Sequence, residues 1–204
     1  LNAVVASARV LAISPTLSDG ERAVVERIER ASQRLSGMLA DLRDFTRARL
    51  GGLLIVRRAR CDVGALVRQV VGELQSVHPN RHITVECQGN LMLDADGQRV
   101  AQLLSNLIAN AFQHSADDSD VQVRATREAD AVTIEVHNTG PAIPPALMKR
   151  VFAPLSREEG SDSTHLGLGL YIAHQIARAH GGDIAVQSSA GAGTRFTARL
   201  PSEG

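Results

Sequence analysis

Apolar residues at Leu1, Val4, Val5, Ala8 and Leu11 recur by threes and fours, which predicts one face of an amphipathic helix already running at the first residue. No Ser, Thr, Asp or Asn stands ahead of it as a cap. The cluster SPTLSDGE (14–21), with Pro15, Asp19 and Gly20, ends that helix and starts another. Over 21–50, Val25, Ile28, Leu35, Leu39, Leu42 and Phe45 fall at helical spacings and predict one long helix with a single apolar stripe. Two such helices form a hairpin with too much apolar seam for one partner. A homodimer through residues 1–50, closing a four-helix bundle, would bury both stripes.

Gly51-Gly52 reads as a hinge between a hairpin domain, 1–50, and a second domain, 51–204. Beyond it the period changes repeatedly. Residues 53–58 have strand character, 63–75 are helical, ITVEC (83–87) alternates as a strand, and LML (91–93) makes another short one. The helical period returns over 98–115 with Val100, Leu103, Leu104, Leu107, Ile108 and Ala111. Residues 120–128 and 131–138 flank Ala129-Asp130 as a hairpin. Then come the Pro/Gly segment TGPAIPP, a short helix around 146–152 and a polar stretch, SREEGSDST, with the composition of a mobile loop. LGLYIAHQIARAHGG is a helix with a glycine stop, and DIAVQSS with TRFTARL forms a last hairpin. Helices segregated against a mixed sheet predict an α+β sandwich of two layers, preceded by the all-α hairpin.

Composition narrows the function classes. Twenty-two basic and 22 acidic residues leave a formal charge of zero, so nothing electrostatic favours nucleic acid or an anionic membrane. Four Phe, one Tyr and no Trp offer few platforms for stacked bases. Cys61 and Cys87 lie far apart and outside any CxxC, and read as reduced packing residues. No apolar run reaches the roughly 18 residues of a membrane helix, so the reading is a cytoplasmic fragment without direct membrane contact.

The candidate chemistry begins with Asn106 and Asn110 in NLIAN, one turn apart on the same face of a mostly apolar helix. Such amides either bond to nearby backbone or place a carboxamide oxygen on a hard cation such as Mg2+, which shares its remaining sites with water and phosphate. Downstream, Asn138-Thr139-Gly140 ends a strand, and Gly167-Leu168-Gly169 opens a helix whose first-turn N–H groups favour phosphate. His78, His82, His137, His174 and His180 read as surface or packing residues, and none lies in the hairpin.

Taken in order, NLIANAFQHS, VHNTGPAIP, VFAPL, HLGLGLYIAHQIARAHGG and GAGTRF resemble the N, G1, F, G2 and G3 boxes of sensor histidine kinases. The ATP domain of that family has the Bergerat fold shared with gyrase, Hsp90 and MutL. Five boxes in order, over about 150 residues, make the resemblance specific, and the upstream hairpin resembles the family's dimerisation and histidine-phosphotransfer domain.

The resemblance implies Mg·ATP as ligand. Asn110 matches the Mg2+-coordinating asparagine and Asn106 its companion near the phosphates. Asn138 stands where the family usually has the aspartate that accepts a hydrogen bond from the adenine amino group, and a carboxamide oxygen can still accept it. Gly140 matches the first G1 glycine while Ala142 replaces the second. Phe152 matches the first F-box aromatic, with Leu155 at the second. Gly167 and Gly169 match G2 glycines, with His165 in place of the first. Gln113 occupies the usual phosphate-facing lysine position and His114 that of a ring beside the nucleotide. Ile143, Leu166, Leu168 and Thr194 fall within the same boxes as further nucleotide contacts, and Arg157 is the candidate cation for the γ-phosphate. Residues 155–166 would form a lid over ATP.

The family's reaction moves the γ-phosphoryl group to a histidine, for relay to an aspartate of a response-regulator receiver domain. Leu1-Asn2-Ala3 matches the end of the H-box, which puts the acceptor six positions before Leu1. The expectation is that this polypeptide binds Mg·ATP and dimerises without phosphorylating itself. Two other readings stay open: an anti-sigma serine kinase or other ATPase of the same fold, which the long hairpin argues against, and a non-catalytic nucleotide-binding docking module.

Overall fold

A computed structural model describes residues 17–49, 54–115, 119–156 and 167–202, together with Ala3, Ala6, Ser7, Val10 and Leu11. The chain divides into two compact units, Leu1–Thr46 and Arg47–Gly204. The division falls inside the last turn of the long helix, and the Gly51-Gly52 hinge lies outside the described residues.

In the first unit, the five described residues near the start are helical. The predicted turn at 14–21 is described only from residue 17. There Ser18 opens helix α1 (Asp19–Arg49) with a capping box. The Ser18 N–H and Oγ–H both donate to Glu21 Oε2, at 2.9 and 2.7 Å, while the Glu21 N–H donates back to Ser18 Oγ at 3.4 Å. These bonds lower the Glu21 pKa. Along α1, Val25 is buried, whereas Val24, Ile28, Leu35, Leu39 and Leu42 are exposed. One chain therefore leaves most of the predicted stripe in water.

The second unit is a two-layer α+β sandwich. Its elements run β1 (Ala59–Asp62), α2 (Val63–Val77), β2 (Ile83–Gln88), β3 (Met92–Ala95), α3 (Gly97–His114), β4 (Val121–Arg127) and β5 (Ala131–Asn138), then α4 (Pro145–Met148), α5 (Gly169–Ala179), β6 (Asp183–Ser189) and β7 (Gly193–Pro201). Five strands form the main sheet in the order β2-β4-β5-β7-β6, with β2 and β4 parallel and the rest antiparallel. β1 and β3 make a separate antiparallel ribbon.

Alternation sets the layers. Val121, Val123 and Ala125 of β4 stand beside Asn138, Val136 and Ile134 of β5, which in turn face Thr194, Phe196 and Ala198 of β7, and all nine are buried. Against this face pack the apolar sides of α2 (Val63, Val67, Val70, Val71), α3 (Val100, Leu103, Leu104, Leu107, Ile108, Ala111) and α5 (Ile172, Ala173, Ile176, Ala177). The opposite face carries a charge ladder, Glu86–Arg124–Glu135–Arg195, with N···O distances of 2.8, 3.8 and 3.3 Å.

Three expectations need correction. Residues 54–58, expected as strand, have no regular structure, and the strand begins at Ala59. The Arg57 N–H donates instead to Asp96 Oδ2 at 2.9 Å, so a side chain takes the place of a ladder partner there. The strand expected at 91–93 runs from Met92 to Ala95, because pairing with β1 sets its register. The helix expected over 146–152 is the single turn Pro145–Met148. Beyond it, Arg150 N–H to Leu147 O and Ala153 N–H to Arg150 O are three-residue steps that form successive turns rather than an α-helix.

Candidate nucleotide-binding site

The site is assembled at one end of the inner sheet face, where β5 and β7 meet the C-terminal half of α3 and the start of α5. Asn138, the last residue of β5, is 1% exposed and in register with Thr194. Its Nδ2 donates to the Thr139 carbonyl at 3.3 Å. Its Oδ1 is buried and finds no hydrogen-bond partner among the described residues. A buried amide oxygen left open in this way is an acceptor waiting for a donor.

The neighbouring backbone fits closely around it. A Cβ on Gly193, where φ is +76°, would come 2.1 Å from the Asn138 carbonyl oxygen, so only glycine can start β7 here. A Cβ on Gly140 would come 2.3 Å from the His114 carbonyl oxygen, which puts the turn after β5 against the end of α3. Thr194 Oγ1 and Ser188 Oγ are 2.7 Å apart, and Ser188 Oγ accepts the Ile143 N–H at 2.9 Å. This chain of bonds pins the TGPAIPP segment to the β6–β7 hairpin.

One turn before Asn110 on α3, Asn106 faces the start of α5. The nearest approach to a Cβ built on Gly169 is Asn106 Cγ and Oδ1, both at 3.6 Å. Asn106 Nδ2 is buried with no partner among the described residues, a donor left open as Asn138 Oδ1 is an acceptor left open. The N-cap residue of α5, Leu168, makes no side-chain capping bond, so the first-turn N–H groups gain no cap from it. Gly167 (φ +66°) accepts the Leu155 N–H at 3.1 Å, and Leu155 itself has φ +59°. Phe152 stacks on His174 with ring centroids 4.8 Å apart and meets Phe196 edge-on at 6.2 Å.

The predicted residues thus fall into groups. Asn138, Gly140, Ile143 and Thr194 gather at the β5–β7 end, and Asn106 comes against Gly169 beside Gly167. Asn110 is half-buried between them, while Gln113 and His114 are exposed on the last turn of α3. The Leu168 side chain is buried in the core, so any ligand contact there falls to its backbone. Arg157, Leu166 and the body of the predicted lid lie outside the described residues.

Residues given no part in the site by their sequence alone also shape its surroundings. Ser188 carries the Ile143 and Thr194 contacts, yet nothing in QSS marks it. Arg81 donates to the Phe112 carbonyl at 3.0 Å and lies 4.9 Å over the Phe112 ring, which holds the end of α3. At the far end of α3, Asp96 caps the helix by accepting the Arg99 N–H at 3.2 Å. The Asp96 N–H donates to Nε2 of His180, a ring 3% exposed whose Nδ1 is 2.8 Å from the Ile176 carbonyl. Since that carbonyl only accepts and the Asp96 N–H only donates, His180 is the neutral Nδ1–H tautomer. Burial lowers its pKa accordingly. For Asp96, burial pushes the pKa up, but the Arg57 and Arg99 N–H groups outweigh it and the net direction is down.

Residues 95–204, more than half of the chain, match the family model described as histidine kinase-, DNA gyrase B-, and HSP90-like ATPase. Among curated proteins, a bacteriophytochrome of Pseudomonas aeruginosa is 32% identical over 179 residues, 86% of this chain and 24% of that protein. The alginate biosynthesis sensor protein KinB of the same organism is 29% identical over 184 residues, 89% of this chain and 31% of that protein. The chain thus spans a third or less of the length of these two relatives. Among solved structures, full-length ShkA in complex with AMPPNP superposes with a TM-score of 0.72 at 27% identity, covering 98% of this chain and 42% of that one. The chain therefore belongs to the histidine kinase-, DNA gyrase B- and HSP90-like ATPase family.

Proposed function

We propose that this chain is the catalytic core of a histidine kinase that binds Mg·ATP and transfers its γ-phosphoryl group to a histidine, for relay to a response-regulator aspartate. The observation that carries the reading is the buried, unpartnered Oδ1 of Asn138. One Nδ2 N–H is taken by the Thr139 carbonyl and Oδ1 is left open, an acceptor of the kind that would suit an exocyclic purine N–H. At the other end, Asn106 Nδ2 and the first turn of α5 supply donors suited to phosphate oxygens. Gly140 lets the turn after β5 come close against the end of α3 beside these ends.

Asn110 would hold Mg2+ through one carboxamide oxygen. Among the described residues no group of three His, Cys, Asp or Glu side chains could hold a metal, so the donor set suits a cation that takes most of its ligands from phosphate and water. When bound, the cation supplies charge neutralisation on the phosphates. The chain's own work is positioning: Asn138 fixes the base, while Asn106 and the α5 N–H groups orient the phosphate tail toward the acceptor imidazole. Gln113 adds polarity without the charge of a lysine. Arg157 stays the choice for a cation at the γ-phosphate. We assign dimerisation to residues 1–50, whose α1 leaves five large apolar side chains exposed.

The test is incubation of the full-length protein that carries this chain with radiolabelled ATP. Acid-labile, alkali-stable label on a histidine is the expected result. Label on a partner's serine, or nucleotide bound and never consumed, would overturn it in favour of a serine kinase or a docking module.

A further inference from the structure

His174 lies on α5, five residues after Gly169. Its ring lies nearly parallel to Phe152, 18° between planes at 4.8 Å. Its Nε2 is 2.8 Å from Asp183 Oδ1 at the start of β6. A carboxylate only accepts, so Nε2 carries the proton and the bond fixes the plane of the imidazole. Phe152 is held on its other side by Phe196, a fully buried ring of β7.

From Phe152 the contacts return to α5. The Ala153 N–H bonds to Arg150 O, and the Ser156 Oγ–H donates to the same carbonyl at 2.6 Å, which closes the turn after Phe152. Within that turn Leu155 takes a positive φ of 59°, a conformation that costs a leucine energy and persists only where its surroundings enforce it. The enforcing contact is the Leu155 N–H to Gly167 O bond, and Gly167 leads directly into the first turn of α5. The path α5, His174, Phe152, Leu155, Gly167, α5 is therefore a closed circuit. It ends on the backbone that the phosphate tail would meet.

We infer that His174 is a positioning residue: paired with Asp183, it acts as a plate that fixes Phe152 and, through Leu155, sets the Gly167-Leu168-Gly169 turn at the phosphate-facing end of the site. This rests on the nucleotide reading for its ligand but not for its geometry. Loss of the plate disturbs the phosphate end and leaves the Asn138 end, built on β5 and β7, untouched.

The experiment is a titration of the whole chain and its variants with Mg·ATP and, separately, with adenosine, together with amide exchange at Leu155 in the nucleotide-free protein. His174→Ala weakens Mg·ATP roughly five- to tenfold, in the upper part of the range expected for one lost aromatic pair, and leaves adenosine within about twofold. His174→Phe keeps the stack and restores ATP affinity. Leu155 amide exchange speeds up in His174→Ala and returns to the wild-type rate in His174→Phe. An equal loss for both ligands, an unchanged His174→Ala, or a His174→Phe as weak as His174→Ala would overturn the inference. If the wild-type chain bound no nucleotide, the functional proposal would fall, and the exchange rates would still decide the role of His174.

Discussion

Asn138 shows how much one side chain can specify when burial is nearly complete. The Thr139 carbonyl accepts one of the amide's N–H groups, and Oδ1 is left as an open acceptor. Residue types and box spacing made candidates of Asn106, Asn138, Gly140 and Gly169, because glycines and buried amides are costly anywhere they lack a purpose. Ser188, His174 and Leu155 were not legible, since their roles depend on what the fold brings opposite them. The glycines of the last hairpin allow a comparison at this scale. Gly191 has φ +83° with nothing within 4 Å of an added Cβ, whereas Gly193 has φ +76° and a carbonyl oxygen at 2.1 Å. Gly191→Ala should cost about 1 kcal/mol, from the backbone conformation alone. Gly193→Ala should cost about 3 kcal/mol or more, since the clash adds to the strain. Urea denaturation of the two variants checks the difference, and equal losses would contradict the close approach.

At the scale of elements, periodicity located α2, α3 and α5 to within two or three residues, because each buries one stripe against the same sheet face. Strands were harder to place. β1 carries Arg60 and Asp62 in place of the apolar run at 53–56, and its position comes from its ladder with β3. Asp96 and His180 tie that region together, joining the segment before β1, the start of α3 and the end of α5. The clamp has a pH signature. His180 in the folded chain resists a proton that the unfolded chain accepts near the ordinary value of 6.5. The unfolded state therefore binds more protons as pH falls below 6.5, and stability declines through that window toward the lower folded pKa. Asp96, lowered from 3.8, adds a second loss only in stronger acid. Melting temperature should fall between pH 6.5 and 5 in the wild type and fall less in His180→Gln; an identical slope would show that His180 does not carry it. The capping box of α1 makes a simpler prediction: Ser18→Ala should destabilise its helix by about 1 kcal/mol, read by circular dichroism on denaturant titration.

On the scale of the whole molecule, the two units carry different kinds of surface. The sandwich unit covers its outer sheet face with a paired charge ladder, whereas α1 exposes Val24, Ile28, Leu35, Leu39 and Leu42. If that stripe is where two copies meet, Leu35→Glu with Leu39→Glu should shift the chain from dimer to monomer in sedimentation while nucleotide affinity stays within about twofold. A variant that remained dimeric would place the contact elsewhere. Among the described residues no helix is long and apolar enough to cross a membrane. Asn138 is proposed to recognise the adenine of Mg·ATP through its open Oδ1. Calorimetric titration with Mg·ATP and Mg·GTP, on the wild type and on Asn138→Ala, tests it most directly. ATP should bind at least about tenfold tighter than GTP, and Asn138→Ala should lose most of this preference without unfolding. Equal affinity for the two nucleotides in the wild type, or an undiminished preference in Asn138→Ala, would contradict it.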